Sequence, residues 1–260
     1  MMPIEVQIFA VLLVGLCVGS FLNVVIVRLP RGRSLFEPSS RCGFCRSSIP
    51  VWMNIPVVSF IISAGQCVRC GFAFSARYMV VEILTAILFL SFWAVWGWTS
   101  ELVIMALFGA AFVAVSFIDA EFRIIPDVLS LGGWIVALLI ALIAPDGHSV
   151  SFMEAFLASL VGYGAFWMMS RLFYGVMGEE GLGGGDVKLL AMIGALLGWP
   201  GLIGSVLVGS LLGSLVGLLS IFVLGKTRRF PIPFGPFLVT GALAVMLQLD
   251  FLWWEFWGGA

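Results

Sequence analysis

Two aspartates in this chain stand where carboxylates are rare. Asp186 lies in Gly183-Gly184-Gly185-Asp186-Val187-Lys188, between two long apolar stretches. Asp119 closes another such stretch and opens Asp119-Ala120-Glu121-Phe122-Arg123-Ile124-Ile125-Pro126-Asp127, which reads as a loop. A charged side chain at the bilayer midplane is disfavoured by roughly 2.5–3.5 kcal/mol on insertion scales, so an acid kept in such a setting usually has a task. The glycines before Asp186 permit close backbone approach, and the helix start that follows favours an anion. Two carboxylates held together share a proton. One can then activate water while the other protonates the leaving amine, which is aspartyl-type peptide hydrolysis by a coupled pair. Gly183, Gly185 and Lys188 are the supporting residues of the Asp186 motif.

Other hydrolytic chemistries lack their parts. The single histidine, His148, falls in a loop expected on the far side of the membrane from both aspartates. No Ser-His or Cys-His dyad and no HExxH helix is available. A Ser-Lys pair would need Lys188 or Lys226, and no motif accompanies either. Each aspartate alone reads equally well as a helix cap or an ion-pair partner, so the case rests on their joint placement. Asp127 reads as a helix-start residue, Glu121, Glu179 and Glu180 as solvated loop charges, and Glu82 as a partner for Arg77 or Arg69.

A second cluster is carried by cysteine. Cys42-Gly43-Phe44-Cys45 and Cys67-Val68-Arg69-Cys70 form two CxxC pairs. Such a double pair reads as a tetrahedral four-thiolate zinc site, structural because no coordination position is left open. Arg46 and Arg69 favour thiolate over thiol, and a cytosolic placement disfavours disulfides. A redox-active CxxC and an iron–sulfur centre are the competing readings. The fifth cysteine, Cys17, lies in an apolar stretch and reads as packing.

The elements that must position these groups are apolar helices. The chain has 260 residues, 62% hydrophobic and 10% charged, with a mean hydropathy of +1.16, whereas soluble domains carry about 25% charged residues. The fold class is therefore all-α polytopic membrane protein. About eight spans are expected, at 4–27, 79–98, 102–118, 128–144, 152–173, 187–199, 202–224 and 234–253, the sixth being short for a crossing of about 20 residues. With the N-terminus outside, all 13 basic residues fall in or beside 28–78, 119–127, 174–186 and 225–233. The positive-inside rule makes that side cytoplasmic, with both aspartates at its edge and both termini outside. The first stretch has no basic residue before it and is too long for a cleaved signal.

Three regions follow: a first transmembrane helix at 1–27, a cytoplasmic zinc-binding module at 28–78, and a transmembrane bundle at 79–260. Gly15 and Gly19, Gly194 and Gly198, and Gly209, Gly213 and Gly217 recur at helical spacing and are read as close-packing faces. Trp253, Trp254, Phe256 and Trp257 read as an interfacial aromatic anchor. The net charge of −1 gives no indication of nucleic acid, and membrane lipid is the expected surrounding.

Together these residues resemble the type IV prepilin peptidase family (prepilin leader peptidase/N-methyltransferases), nearly end to end. Gly19-Ser20-Phe21-Leu22-Asn23-Val24-Val25 with Arg28-Leu29-Pro30 is similar to the family's first-span signature. The CxxC pairs, Asn54-Ile55-Pro56 and Ser75-Ala76-Arg77-Tyr78 are similar to its cytoplasmic domain. Asp119 to Asp127 resembles its first aspartate motif, Gly183 to Leu189 its GxGD motif, and Pro233-Phe234-Gly235-Pro236 a further hallmark that breaks the helix and re-enters near the aspartates.

The resemblance implies an intramembrane aspartyl endopeptidase of the bacterial inner membrane. It would cleave the basic leader of prepilins and pseudopilins after a glycine at the cytoplasmic face, through Asp119 and Asp186. It also implies methylation of the new N-terminal amine by S-adenosylmethionine, associated with region 28–78. No Gly-rich fingerprint follows a strand, so the residues alone locate no binding site for that donor. The chain departs from the family at Cys-Gly-Phe-Cys, where proline commonly follows the first cysteine, and at Ser63-Ala64-Gly65-Gln66, where Arg-Gly is frequent. The alternatives are a small proton- or cation-coupled transporter, whose acids would lie near the midplane, and a non-catalytic assembly factor.

Overall fold

The computed structural model describes residues 3–36, 42, 44–48, 55–144, 148–178, 183–223, 225 and 232–248. The expectations placed on Arg41, Asn54, Glu179, Glu180, Lys226, Arg228, Arg229 and the Trp253–Trp257 anchor lie outside these residues. The elements are α1 (Ile4–Arg28), a 3-10 turn (Leu29–Arg31), α2 (Val58–Ile62), α3 (Arg77–Trp96), α4 (Ser100–Phe122), α5 (Asp127–Ile143), α6 (Phe152–Met177), α7 (Gly184–Phe222) and α8 (Gly235–Met246). Among the described residues no strand forms, and an isolated β-bridge joins Gln66 to Ala73. α1, α3, α4, α6 and α7 are long and apolar enough to cross a bilayer, and α5 and α8 are shorter apolar helices.

The chain divides into two compact units, residues 1–114 and 115–260. In the first, α1 and α3 pack backbone to backbone. A Cβ on Gly15 would lie 2.6 Å from the Ala86 Cα, and one on Gly19 2.7 Å from the Glu82 Cα. Asn23, one turn further along α1, donates to the Tyr78 carbonyl at 2.9 Å. The pairing of 15 with 86, 19 with 82 and 23 with 78 makes the two helices antiparallel. Without a hydrophobic force between helices in lipid, such close approach is what holds them. Cys17 lies on the exposed side of α1 rather than in this contact.

Glu82 is buried, but its partner is neither Arg77 nor Arg69. Its Oε2 accepts the backbone N–H of Val57 at 2.7 Å, and its carboxylate also bonds Ser20. Val57 has φ +60°, and this turn opens α2. The long-range backbone donor takes the acid that a local arginine was expected to take.

In the second unit, α7 has 39 residues with a break at Gly198 (φ 63°, ψ −153°) and Pro200 just beyond it. At 1.5 Å per residue, a straight helix of this length would run about 58 Å, nearly twice a hydrocarbon core of about 30 Å. It does not run straight. A Cβ on Gly162 of α6 would touch both the Leu190 carbonyl oxygen (3.0 Å) and the Leu202 side chain (3.1 Å). A straight helix would separate those residues by about 18 Å, so the chain doubles back at Gly198. The two halves of α7 thus correspond to the sixth and seventh expected spans, and the eight apolar segments are all present.

Gly198 is therefore a reversal rather than a packing position. The freed backbone N–H of Trp199 is taken by Glu154 Oε1 at 3.3 Å, the same residue whose own amide is capped by Ser151 at the start of α6. Gly194 does pack closely, with a Cβ there 2.8 Å from the Ala158 backbone. Gly209 and Gly213 face Leu238 and Phe234, whereas Gly217 makes only ordinary contact with Ile232.

The α1–α3 contact predicts that Gly19→Val, which pushes a branched side chain against backbone, lowers stability by about 1–3 kcal/mol. Gly164→Val, where a Cβ meets nothing within 4 Å, serves as the control. Thermal unfolding in detergent should show a lowered midpoint for the first only, and equal midpoints would refute this packing.

Candidate functional site

Four backbone segments of the second unit converge on the Asp119 carboxylate. α4 runs on to Phe122, so Asp119 sits in its last turn, buried, and not in a loop as the sequence suggested. The helix persists because its end is closed from within: the Arg123 amide returns to the Asp119 carbonyl at 2.8 Å, with Arg123 at φ +57°. A non-glycine residue in this left-handed position is strained, a feature that gathers at functional sites. The carboxylate accepts the backbone N–H of Gly235 on Oδ2 at 2.9 Å.

Gly235 begins α8, with Pro236 in the first turn. A Cβ at Gly235 would lie 2.8 Å from Asp119 Oδ2 and 3.3 Å from Ile125. The position therefore admits only glycine if the hydrogen bond is to survive, and α8 aims the positive end of its peptide dipoles at the acid. Sequence reading brought the Pro-Phe-Gly-Pro segment near the aspartates but missed this bond; the motif of a glycine just before proline at a helix start was its signal.

Asp186 is placed by the start of α7. It is the third residue of the helix and hydrogen-bonds back to Gly183, the residue before it, as the acidic member of a capping box does. Gly185 lets α7 approach the loop after Asp119, since a Cβ there would lie 2.9 Å from the Ile125 Cβ. Asp119 and Asp186 line one cleft of about 300 Å³, together with Arg123, Ile124, Ile125, Asp127, Gly183, Gly184, Gly185 and Lys188. The two carboxylates interact electrostatically. Lys188 does not point to either. Its Nζ bonds Asp127 Oδ1 at 2.6 Å, at a partly exposed position, so the α7 cation neutralises the first residue of α5 and leaves the catalytic-type pair without a fixed cation from that residue. The arrangement can hold and polarise a water between two acids at the mouth of an apolar bundle.

The cysteines form a separate site in the first unit. All four Sγ atoms of Cys42, Cys45, Cys67 and Cys70 lie within 4.8 Å of one another, with Cys42–Cys70 at 3.8 Å and Cys45–Cys67 at 4.0 Å. A tetrahedron with metal–sulfur bonds of about 2.3 Å has edges of about 3.8 Å, so the thiols need to close by no more than about 1 Å to hold a metal ion. They are too far apart for disulfides, whose sulfurs lie about 2.05 Å apart.

The two half-sites are copies. The Cys42 amide bonds the Ser47 carbonyl and the Arg46 amide the Cys42 carbonyl (2.9 and 3.0 Å), and the Cys67 amide bonds Phe72 and the Gly71 amide Cys67 (2.9 and 2.8 Å). Each turn is completed by a left-handed residue, Arg46 at φ 55° and Gly71 at φ 69°. Phe44 and Phe72 stack across the pair at 5.6 Å.

Hydrogen bonds from the Ser47 side chain and backbone hold the Cys45 thiol down at about 6. At Cys70 the Phe72 backbone bond also acts to lower the value. Desolvation and the neighbouring thiols outweigh it and push Cys70 up to about 12. Four thiols this close do not lose their protons evenly, and a divalent cation at their centre removes that conflict.

Purified protein should accordingly contain about one equivalent of metal by elemental mass spectrometry, lost in a Cys42→Ser/Cys67→Ser double variant. Gly71→Val, which forces a β-branched residue into a left-handed turn, should weaken metal retention against a chelator by about tenfold. Metal-free wild-type protein with an intact fold would contradict the site.

Residues 103–218 match the family model described as "Type IV leader peptidase family", and residues 13–96 that described as "Bacterial Peptidase A24 N-terminal domain". The chain is 39% identical over 221 residues to a Myxococcus xanthus protein named prepilin leader peptidase/N-methyltransferase, covering 84% of this chain and 65% of that protein. It is 36% identical over 269 residues to a protein of the same name from Pseudomonas aeruginosa, covering 94% and 91%. A third, from Legionella pneumophila, is 35% identical over 271 residues, covering 93% and 92%. No solved structure matches the chain.

Proposed function

We propose, from the premise that this chain belongs to the type IV leader peptidase family, that the cleft holding Asp119 and Asp186 is where it cleaves the leader of prepilins. The chain is a prepilin leader peptidase with N-methyltransferase activity. The observation that carries the assignment of the cleft is the placement of both carboxylates in one cavity, one of them held by the Gly235 amide.

In the reaction, one carboxylate takes a proton from water as its oxygen attacks the scissile carbonyl carbon. The other, protonated, gives its proton to the carbonyl oxygen as the tetrahedral intermediate forms. Collapse of that intermediate breaks the C–N bond, and a carboxyl group returns a proton to the departing nitrogen. The products are the leader's new carboxylate and the new N-terminal amine. Gly235 occupies Asp119 Oδ2 and leaves Oδ1 for water or substrate. Gly183 fixes Asp186 through the capping-box bond, and Gly185 sets the approach of the two acids. Lys188 acts indirectly, by holding Asp127 and with it the junction of α5 and α7.

The metal of the thiol cluster is zinc in this reading. With four cysteine ligands it closes a structural knuckle and takes no part in bond cleavage. Region 28–78 serves methyl transfer and 79–260 serves proteolysis, a division that rests on the resemblance of their motifs. S-adenosylmethionine is the methyl donor and supplies an electrophilic methyl group to the freed amine. The cleft of about 300 Å³ stands at the lower end of ligand-pocket volumes and is lined by the proteolytic acids. Its lining residues are assigned to proteolysis rather than to that donor. The arginine distribution puts the knuckle and both aspartates on the cytoplasmic face of the inner membrane, with prepilins and pseudopilins as substrates.

Detergent-purified enzyme mixed with a prepilin substrate and S-adenosylmethionine gives a product whose mass reads both reactions. Asp119→Asn and Asp186→Asn should each abolish leader loss while metal content stays unchanged; cleavage that persists in either would sink the aspartyl mechanism. Product that is shortened without an added methyl would confine the activity to proteolysis. Gly235→Ala should slow cleavage by about 100-fold, because small misplacements of a catalytic group have effects of that order. A wild-type rate in that variant would show the Gly235 bond to be dispensable.

A further inference from the structure

The thiol-bearing segment carries more apolar surface than a solvated module would. Ile61 and Ile62 of α2 are 66% and 71% exposed, and Ile55, Val58, Val68, Phe44 and Phe72 are exposed with them. The same segment is strongly cationic. Between residues 28 and 78 there are seven arginines, at 28, 31, 33, 41, 46, 69 and 77, against the single acid Glu37. The net +6 (seven minus one) remains positive after a four-thiolate divalent metal site contributes −2.

The structure also fixes the depth of α2. Its opening residue, Val57, is bonded to Glu82, five residues past Arg77 at the start of α3, or about 7.5 Å along that helix. Helical side chains lean toward the N-terminus, so α2 begins between that level and the arginine-bearing edge. Val80, Ile83 and Leu84 on α3 and Phe21 on α1 are exposed at the same level, so α2 lies at a depth where two membrane-spanning helices also present apolar surface. Glu82 then has a physical reason to exist. An irregular backbone N–H at membrane depth needs an acceptor, because lipid provides none.

We propose that α2 is an interfacial helix seated at the headgroup–acyl boundary of the leaflet, with Ile55, Val58, Ile61 and Ile62 in the acyl region and Arg33, Arg46 and Arg69 on anionic phospholipid headgroups. Apolar residues buried about 5–10 Å beside a basic face are the pattern of interfacial association, and juxtamembrane arginines add about 1 kcal/mol each on an anionic surface. The metal knuckle is thereby held against the membrane through its own side chains as well as through its connections to α1 and α3.

The test uses the full-length protein in nanodiscs of phosphatidylglycerol and phosphatidylethanolamine, with photoreactive benzoylphenylalanine in place of Ile62 and, as the lipid-facing reference, in place of Leu13 on α1. After illumination, mass spectrometry should find lipid adducts at 62 in yield comparable to position 13. Adducts at 62 to the protein's own chain alone, or a lipid yield below about a tenth of the reference, would overturn the proposal, as would transfer of the adduct to an added prepilin peptide. Replacing phosphatidylglycerol by phosphatidylcholine should lower the yield at 62 only. Arg33→Gln, which lies outside the cysteine turns, should reduce phosphatidylglycerol retention in native mass spectrometry by about fivefold, with metal content unchanged. Equal retention in wild type and this variant would remove the anionic-lipid half of the proposal.

Discussion

A carboxylate at the end of an apolar helix must find a donor, and in the second unit the donor is a single peptide group. The Gly235 N–H on Asp119 Oδ2 requires α8 to begin where it does. That in turn requires the preceding segment to break before the proline and residue 235 to lack a side chain. The same constraint reaches Ile125, which lies within van der Waals reach of Cβ positions on both Gly185 and Gly235. Ile125 is thus the apolar spacer around which the two acid-bearing strands of the site are set. Hydrogen bonds to an ionised acceptor are about twice as strong as neutral ones, and the low dielectric of the bundle makes an unmatched acid costly. The geometry is accordingly specified by the need to satisfy one charge.

The first unit solves a similar problem with the roles reversed. There the peptide N–H of Val57 lacks a partner in its own turn, and a side chain from a spanning helix is extended to it. Glu82 is so placed because Gly19 allows α1 to lie against its backbone. Both units therefore use glycine for proximity and a carboxylate–amide bond for register, though the acid of the second unit lines a cleft and that of the first holds the start of α2.

What could be read beforehand followed local rules. Runs of apolar residues marked eight segments, and the limits of the first seven fell within a few residues of the helices that form, as did the start of the eighth, whose expected end at 253 lies outside the described residues. The CxxC spacing put four thiols on one centre, and the glycines before Asp186 marked a helix start. What could not be read depended on partners distant in sequence. Asp119 was assigned to a loop because a charged stretch follows it, yet the helix continues to Phe122, closed by the Arg123 amide, and its carboxylate takes a donor 116 positions away. Glu82 was given Arg77 or Arg69 as its partner because nothing local announces Val57 as a competitor. Gly198 matched a packing periodicity that a reversal also satisfies, and only the joint contact of Leu190 and Leu202 with Gly162 distinguishes the two. Arg46 in a left-handed turn was invisible because the duplicate turn uses glycine at that place, and symmetry of the fold outweighs residue preference.

The near-identity of the two cysteine turns bears on the order in which the chain matures. Each turn closes with its own backbone bonds, so each can form as soon as its six residues are free to do so. At synthesis rates of about 5–20 residues per second, the 25 positions between Cys42 and Cys67 pass in about 1–5 s. During that interval the first turn exists with half a coordination sphere and with α1 already made. The ion, or two further protons, must occupy that half-site until its twin arrives. On the assignment of a metal to this knuckle, its capture is a step of biogenesis with a defined waiting time, one that ends only when the chain just ahead of α3 has left the ribosome.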